Sequence, residues 1–188
     1  MTVKIGKAER ALRQEVIDTC LSMNAMGLNQ GTSGNVSVRC GDDPAEGFFM
    51  TPSSIRYDRL APEDIVRMDL EGNVEGKHKP SSEWRFHLDI MRARPDAGAI
   101  VHTHGMFSTT LACLHREIPA FHYMIALFGH GLIVLGPNLE RGLALTQEAE
   151  TLAAMYWRAL QIGQPAILPD EEIEKVAQKF GVTGYGGR

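Results

Sequence analysis

The run Lys79-Pro-Ser-Ser-Glu-Trp-Arg-Phe-His87 and the nearby run Ile100-Val-His-Thr-His-Gly105 dominate the organisation of this 188-residue chain. Small and β-branched residues precede the two histidines and predict a strand that ends beside them. Because side chains alternate along a strand, His102 and His104 are expected on one face. Two imidazoles on one face form half of a metal site, and Glu83 is the first candidate for a further ligand. The same spacing also fits a chance pair of histidines at a strand end.

The composition predicts a single-domain, cytoplasmic globular protein. Hydrophobic residues make up 44% of the chain and charged residues 22%, which are ordinary values for a packed domain. A net charge of −4 without a basic stripe argues against a nucleic-acid partner. The sequence contains no apolar run of membrane-spanning length and no signal-peptide pattern, so we expect no membrane partner. The three scattered cysteines, Cys20, Cys40 and Cys113, are expected to be reduced thiols.

Apolar periodicity and turn residues predict an alternation of helices and short strands. A helix is expected over residues 8–26, ended by Gly27, and strands are expected at 36–39, 48–50, 65–70 and 132–135. The strand at 36–39 alternates as a half-buried strand should, whereas the strand at 132–135 is apolar throughout and should be fully buried. A further helix should start at Pro80, with Ser81 or Ser82 as its cap and Glu83 in its first turn. Other helices are expected at residues 108–114, 138–160 and 169–180.

Two loops rich in glycine and hydroxyl groups could bind an oxyanion. They are Leu28-Asn-Gln-Gly-Thr-Ser-Gly-Asn35 and Thr51-Pro-Ser-Ser54, which offer backbone N–H groups and hydroxyls. For the first loop a plain surface turn is the commoner outcome of such a cluster, and the second also has the residues of a helix N-cap. Glu83 has a similarly ordinary alternative, because a carboxylate in a first helical turn commonly does no more than compensate the helix dipole.

Together these runs resemble the class II aldolase and adducin family, and within it the L-fuculose-1-phosphate aldolase branch. Further matching runs are Ile118-Pro-Ala-Phe-His-Tyr-Met-Ile125 and His130-Gly-Leu132. The resemblance implies one α/β domain over residues 1–188, an α/β/α sandwich around a mostly antiparallel sheet. It also implies a C4 homotetramer with active sites at subunit interfaces. The implied reaction is the zinc-dependent cleavage of a ketose 1-phosphate, such as L-fuculose 1-phosphate, to dihydroxyacetone phosphate and an aldehyde.

The resemblance also implies a role for individual residues. His102 and His104 fall on zinc-ligand positions, and Glu83 falls on the acid/base position, from which it can also touch the metal. Tyr123 falls on the position that handles the hydroxyl proton of the leaving aldehyde across a subunit boundary. Asn29 is implied to lie next to the substrate oxygens. The phosphate-binding positions are occupied by Thr32, Gly34, Asn35, Ser53, Ser54, Ser81 and Ser82.

The chain departs from the family pattern at the third zinc histidine. Relatives carry it on the long helix, where this chain has Gln147. A glutamine carbonyl is a neutral, harder and weaker ligand for zinc than imidazole. The metal could therefore be held by Gln147, by Glu150 one turn further on, or by Glu83 and the two histidines with water. Cobalt or manganese could also replace zinc.

A second departure is a gap between Gly129 and His130. Family members carry a few tens of residues between the corresponding strands. Either this chain has lost an element beside the active site, or a segment is missing from the sequence. We favour the second interpretation, because deleting a helix and a strand would expose unpaired backbone at the core.

Other functions of the same scaffold remain open at this point. The alternatives are a 5-deoxyribulose or methylthioribulose 1-phosphate aldolase, a dehydratase, an epimerase, and a metal-free structural domain of the adducin kind. Related pentulose-phosphate epimerases carry aspartate at the position of Glu83, which favours an aldolase. Gln147 is the feature that keeps the structural domain possible. The glycine-rich tail with Tyr185 has no assigned role.

Overall fold

The computed structural model describes residues 5–121 and 133–179, and these form one sheet covered by helices. Five α-helices are described: α1 (Lys7–Ala25), α2 (Trp84–Ala93), α3 (Met106–Cys113), α4 (Leu139–Ile162) and α5 (Asp170–Lys179). The six strands are β1 (Asn35–Arg39), β2 (Phe48–Met50), β3 (Val66–Met68), β4 (Val74–Glu75), β5 (Ala99–His102) and β6 (Ile133–Gly136). Among these helices, none has both the length and the apolar character needed to cross a membrane.

The strands form one sheet in the order β4-β3-β2-β1-β5-β6, and every neighbouring pair is antiparallel. The central strand β5 carries apolar side chains on both faces, and each face of the sheet has its own apolar core. On one face Val36, Val38 and Val101 pack with the apolar stripe of α1 and the start of α4. On the other face Ile100 packs with Leu88 and other apolar residues of α2 and the neighbouring strands. The predicted α/β fold with helices on both sides of the sheet is confirmed.

Three local predictions need correction. The polar residues of β1 are buried beneath α2, so β1 is covered on both faces and not half-buried. The helix α2 begins at Trp84, so Glu83 takes the N-cap position and neither Ser81 nor Ser82 caps the helix. The strand β6 alternates between buried and half-buried residues, because it lies at one edge of the described sheet.

Candidate metal centre and active site

The candidate site residues lie at one end of the central strands. The strand β1 begins at Asn35, and its antiparallel neighbours β2 and β5 end at Met50 and His102. The register pairs Asn35 with His102 and Ser37 with Met50, so the three strand ends lie side by side. The loops that enter β1 and leave β2 and β5 therefore lie together at the same end of the strands, which is called this edge of the sheet below.

Glu83, His102 and His104 lie together at this edge. Each offers one ligand atom, and these three atoms lie within 4.8 Å of one another. The two Nε2 atoms of His102 and His104 are 3.0 Å apart, and His102 Nε2 is 3.3 Å from Oε2 of Glu83. His102 is buried, whereas the Glu83 side chain is about one-third exposed, at 37%. Ligands from a strand end and from the loop before α2 thus face one point.

The donor set and its spacing fit a first-row divalent metal ion. Two imidazole nitrogens and a carboxylate oxygen are the ligands that catalytic zinc and its neighbours accept. Two ligand atoms that are each about 2.1 Å from one ion are separated by roughly 3.0 to 3.4 Å at ligand angles of 90° to 109°. The distances of 3.0 and 3.3 Å lie in this range. A single ion could therefore contact all three side chains.

A row of buried polar side chains lies behind Glu83. Asn35 Nδ2 donates to Glu83 Oε2 at 2.6 Å, and Asn35 Oδ1 is 2.5 Å from Nε2 of His87. On its other side, His87 Nδ1 is 2.7 Å from the hydroxyl oxygen of Ser37. Burial, with a smaller contribution from the nearby His102, lowers the pKa of His87 to about 3, so this ring is neutral at physiological pH. Ser37 was not predicted as a site residue, although its alternation with Val36 and Val38 was a signal.

The two serine-containing loops are joined by main-chain hydrogen bonds. Ser53 N donates to the carbonyl of Lys79 at 2.9 Å, and Ser81 N donates to the carbonyl of Thr51 at 3.0 Å. The Thr51 hydroxyl in turn accepts from the backbone N–H of Val36 at 3.2 Å, which ties the first loop to β1. Ser53, Ser54, Ser81 and Ser82 are therefore carried on two adjacent loops at the same end of the sheet. Their contact with phosphate stays a prediction.

The loop before β1 lies close to the strand end that carries the histidines. A Cβ atom at Gly34 would lie 2.6 Å from the main-chain oxygen of His102 and 2.8 Å from Asn29 Oδ1, so glycine is required there. Asn29 is buried, and its Oδ1 accepts from the Ser33 hydroxyl at 2.9 Å. Thr32 is exposed at the tip of this loop. The loop geometry brings Asn29 and Gly34 beside the histidines, while the predicted substrate contacts of this loop remain untested.

The long helix α4 carries the two residues considered as a third ligand. Glu150 accepts from the backbone N–H of Phe107 at 2.6 Å and from the N–H and hydroxyl of Ser108 at 3.0 and 2.6 Å. Its carboxylate therefore caps the start of α3, and both of its oxygens accept hydrogen bonds from that helix. Gln147 is exposed on α4, one turn before Glu150, and its role as a ligand stays a prediction. Tyr123, Tyr185 and the junction of Gly129 with His130 lie outside the described residues.

Residues 14–129 match the model of the class II aldolase and adducin N-terminal domain family. The chain belongs to this family. A 5-methylthioribulose-1-phosphate/5-deoxyribulose-1-phosphate aldolase of Rhodospirillum rubrum is 44% identical over 209 aligned positions, which span 93% of each chain. An L-fuculose phosphate aldolase of Escherichia coli is 41% identical over 209 positions, which span 92% of this chain and 95% of the relative.

A solved structure supports the same assignment. An L-fuculose 1-phosphate aldolase superposes with a TM-score of 0.85 and is 34% identical, with 90% of this chain and 96% of that chain covered. Family members are generally metal-dependent aldolases, and the cluster of Glu83, His102 and His104 could hold the metal. The chain is therefore related to carbon–carbon lyases that act on sugar phosphates, and the relatives include enzymes of more than one substrate.

The aligned lengths also show a difference in size. Because 93% of 188 residues is about 175, roughly 34 of the 209 positions aligned with the Rhodospirillum rubrum protein have no residue of this chain opposite them. The alignment therefore includes a few tens of positions at which the 188-residue sequence has no residue. The placement of these positions between Gly129 and His130 stays a prediction.

Proposed function

We propose that this protein is a class II aldolase that cleaves a ketose 1-phosphate to dihydroxyacetone phosphate and an aldehyde, using a bound divalent metal ion. The observation that carries this proposal is the cluster of Glu83, His102 and His104 at the sheet edge where the hydroxyl-bearing loops meet. Zinc is the ion we propose, because two imidazoles and a carboxylate suit it. When bound, it supplies Lewis-acid stabilisation of the negative charge that develops on the substrate oxygens.

The residues of the chain divide the remaining tasks. Glu83 protonates the carbon of the dihydroxyacetone phosphate half during cleavage and removes the same proton during synthesis. Tyr123 takes the proton from the hydroxyl on the fourth carbon of the ketose. The phosphate is bound by hydroxyl and backbone N–H groups of the loops that carry Thr32, Ser53 and Ser81. Such a pocket needs no lysine, which agrees with the acidic composition.

We further propose that the chain works as a C4 homotetramer. Tyr123 would then reach the site of a neighbouring subunit, and the active sites would lie at the subunit boundaries. A purified sample should have a mass near four chains by light scattering. A monomer with full activity would contradict this arrangement.

The substrate itself is decided by a panel of sugar phosphates. L-fuculose 1-phosphate, 5-deoxyribulose 1-phosphate and 5-methylthioribulose 1-phosphate share the dihydroxyacetone phosphate half and differ in the aldehyde. Release of dihydroxyacetone phosphate is measured for each, with zinc, cobalt or manganese added. We expect cleavage of at least one of them and near-stoichiometric metal in the purified protein. No cleavage and no metal after supplementation would support a structural domain of the adducin kind.

The role of Glu83 has a test that does not depend on the aldehyde. In D2O the enzyme should exchange the carbon-bound proton of dihydroxyacetone phosphate for deuterium, which ¹H NMR detects. We expect Glu83→Gln to slow this exchange by about 100- to 10,000-fold with little change in KM, because a general acid/base contributes a rate factor of that size. Glu75→Gln, an exposed change on β4, should leave the exchange rate unchanged. An unchanged rate in Glu83→Gln would remove Glu83 from the mechanism.

A further inference from the structure

The buried polar groups next to Glu83 form a row of hydrogen bonds in which the donors and acceptors can be assigned in only one way. Its members are Glu83, Asn35, His87 and Ser37, joined by contacts of 2.6, 2.5 and 2.7 Å. A carboxylate can only accept hydrogen bonds, so Asn35 must turn its Nδ2 donor towards Glu83. Its Oδ1 then faces His87, which must donate from Nε2–H. The Nδ1 atom of that neutral ring is left as an acceptor, and the Ser37 hydroxyl donates to it.

The three residues behind Glu83 in this row are almost completely buried. Asn35, Ser37 and His87 are at most 2% exposed and lie between the sheet and α2. Burying polar groups is unfavourable unless each is hydrogen-bonded, and each of the three has a partner here. Glu83 itself is about one-third exposed and precedes the first residue of α2. Its carboxylate accepts the hydrogen bond from Asn35 at 2.6 Å and lies 3.3 Å from Nε2 of His102.

We propose that His87 and Ser37 are positioning residues that hold the amide of Asn35, and through it the carboxylate of Glu83, in the orientation that proton transfer requires. This rests on the proposed acid/base role of Glu83. If His87 is lost, the Asn35 amide can rotate and present its oxygen to the carboxylate, which is repulsive. Glu83 then leaves its place beside His102. Ser37 acts one step further back, since its hydroxyl selects the tautomer of His87.

The kinetic test compares two substitutions at His87 with a control. His87→Phe removes the N–H donor and keeps a ring, whereas His87→Gln keeps a donor near the position of Nε2. We expect His87→Phe to slow the deuterium exchange of dihydroxyacetone phosphate by about 10- to 100-fold at saturating substrate, with KM within about twofold. His87→Gln should recover most of the rate. Leu88→Ala, an apolar change at the next buried position of α2, controls for loss of packing.

The outcomes separate this proposal from the proposed function. If Glu83→Gln abolishes exchange while His87→Phe only matches Leu88→Ala, the positioning role is wrong and the aldolase assignment stands. If Glu83→Gln is itself fully active, the proposed role of Glu83 fails first. In a Glu83→Gln background, His87→Phe should have no further effect on the rate, because both changes act through the same carboxylate.

A spectroscopic measurement tests the assignment of donors and acceptors in this row without substrate or metal. In protein labelled with ¹⁵N-histidine, the ring of His87 should show the Nε2–H tautomer, with its signal assigned by the loss of that signal in His87→Gln. Ser37→Ala should weaken this preference, because the donor to Nδ1 is gone. An Nδ1–H tautomer in the unmodified protein would overturn the proposal, since Nε2 could not then donate to Asn35.

Discussion

Three polar side chains on one face of β1 each meet a different part of α2. Asn35 contacts Glu83 just before the helix, and Ser37 contacts His87 in its second turn. Arg39 donates to main-chain carbonyls at the far end, with Nη2 2.8 Å from the oxygen of Met91. Because these residues are spaced by two along a strand, they lie in a line under the helix. The polar face of β1 therefore fixes where α2 lies and, with it, where Glu83 is presented.

The neutral state of His87 makes folding stability depend on pH. Its pKa is about 3 in the folded chain and about 6.5 when exposed, so between these values the unfolded chain binds more protons. The contribution is fully present above pH 6.5 and is lost as the pH falls towards 3. Between pH 7.5 and pH 5 this loss is about 2 kcal/mol, and His87→Gln should be spared it. Urea unfolding of both proteins at the two pH values measures the difference.

A particular outcome would contradict this account of His87. If the unmodified protein and His87→Gln lost the same free energy of unfolding between pH 7.5 and pH 5, the ring would not be held neutral in the fold. The difference between the two proteins is the relevant quantity, because the other titrating groups are common to both and cancel in it.

At the level of elements, α3 is held at its start by a side chain from α4. The residue before α3 is Gly105, which has no side chain with which to cap the helix. The Glu150 carboxylate instead accepts from the N–H groups of Phe107 and Ser108. A carboxylate at a helix N-terminus satisfies free N–H groups and compensates the helix dipole. This contact joins the histidine-bearing strand end, through α3, to the long helix.

Glu150→Ala should therefore destabilise the fold without emptying the metal site. We expect a loss of about 2 kcal/mol in the free energy of unfolding, because the cap and its hydrogen bonds disappear together. Glu148→Ala, on the same helix, removes an equal charge and should cost far less. Metal content measured after dialysis should match that of the unmodified protein. A strong loss of metal with little loss of stability would restore Glu150 as a ligand.

The same elements show what the sequence allowed us to predict. The helix α1 was placed to within a residue at each end, since its apolar stripe and Gly27, with φ of +72°, are local signals. The start of α2 was wrong because the bridge between Pro52 and Pro80 joins loops that are distant in sequence. The cap of α3 was missed for the same reason, as Glu150 lies 42 residues after Ser108. Local sequence patterns therefore predicted which helices form, whereas contacts between residues distant in sequence determine where α2 begins and how α3 is capped.

For the candidate site, the residue types were predictable and their supporting contacts were not. His102, His104 and Glu83 were found from spacing and family resemblance, and the structure brings them together. The contact of Asn35 with Glu83 follows only from the antiparallel register of β1 and β5 and the position of α2. Resemblance assigned Asn35 to phosphate binding, whereas its side chain faces the acid/base candidate and His87. Register and helix placement are properties of the folded chain.

At the scale of the whole molecule, the candidate metal centre links segments that are far apart in sequence. Glu83 comes from the loop before α2, and the histidines come from the end of β5 and the residues just after it. A metal ion that binds only the folded chain stabilises it by an amount that grows with its affinity. The rise in the unfolding temperature when metal is added therefore measures how tightly the ligands from these segments bind the ion.

Gln147→His tests whether α4 contributes to this site. If position 147 faces the metal, an imidazole should raise zinc affinity by about 10- to 100-fold, which is roughly 1.4 to 2.7 kcal/mol of added stability at saturating zinc. Differential scanning calorimetry should then show a zinc-dependent rise in Tm about 3 to 10 °C larger than that of the unmodified protein. Gln161→His makes the same substitution near the other end of α4 and should leave the rise unchanged. Equal behaviour of the two variants would show that position 147 is not at the metal, and the centre would then rest on Glu83 and the two histidines alone among the described residues.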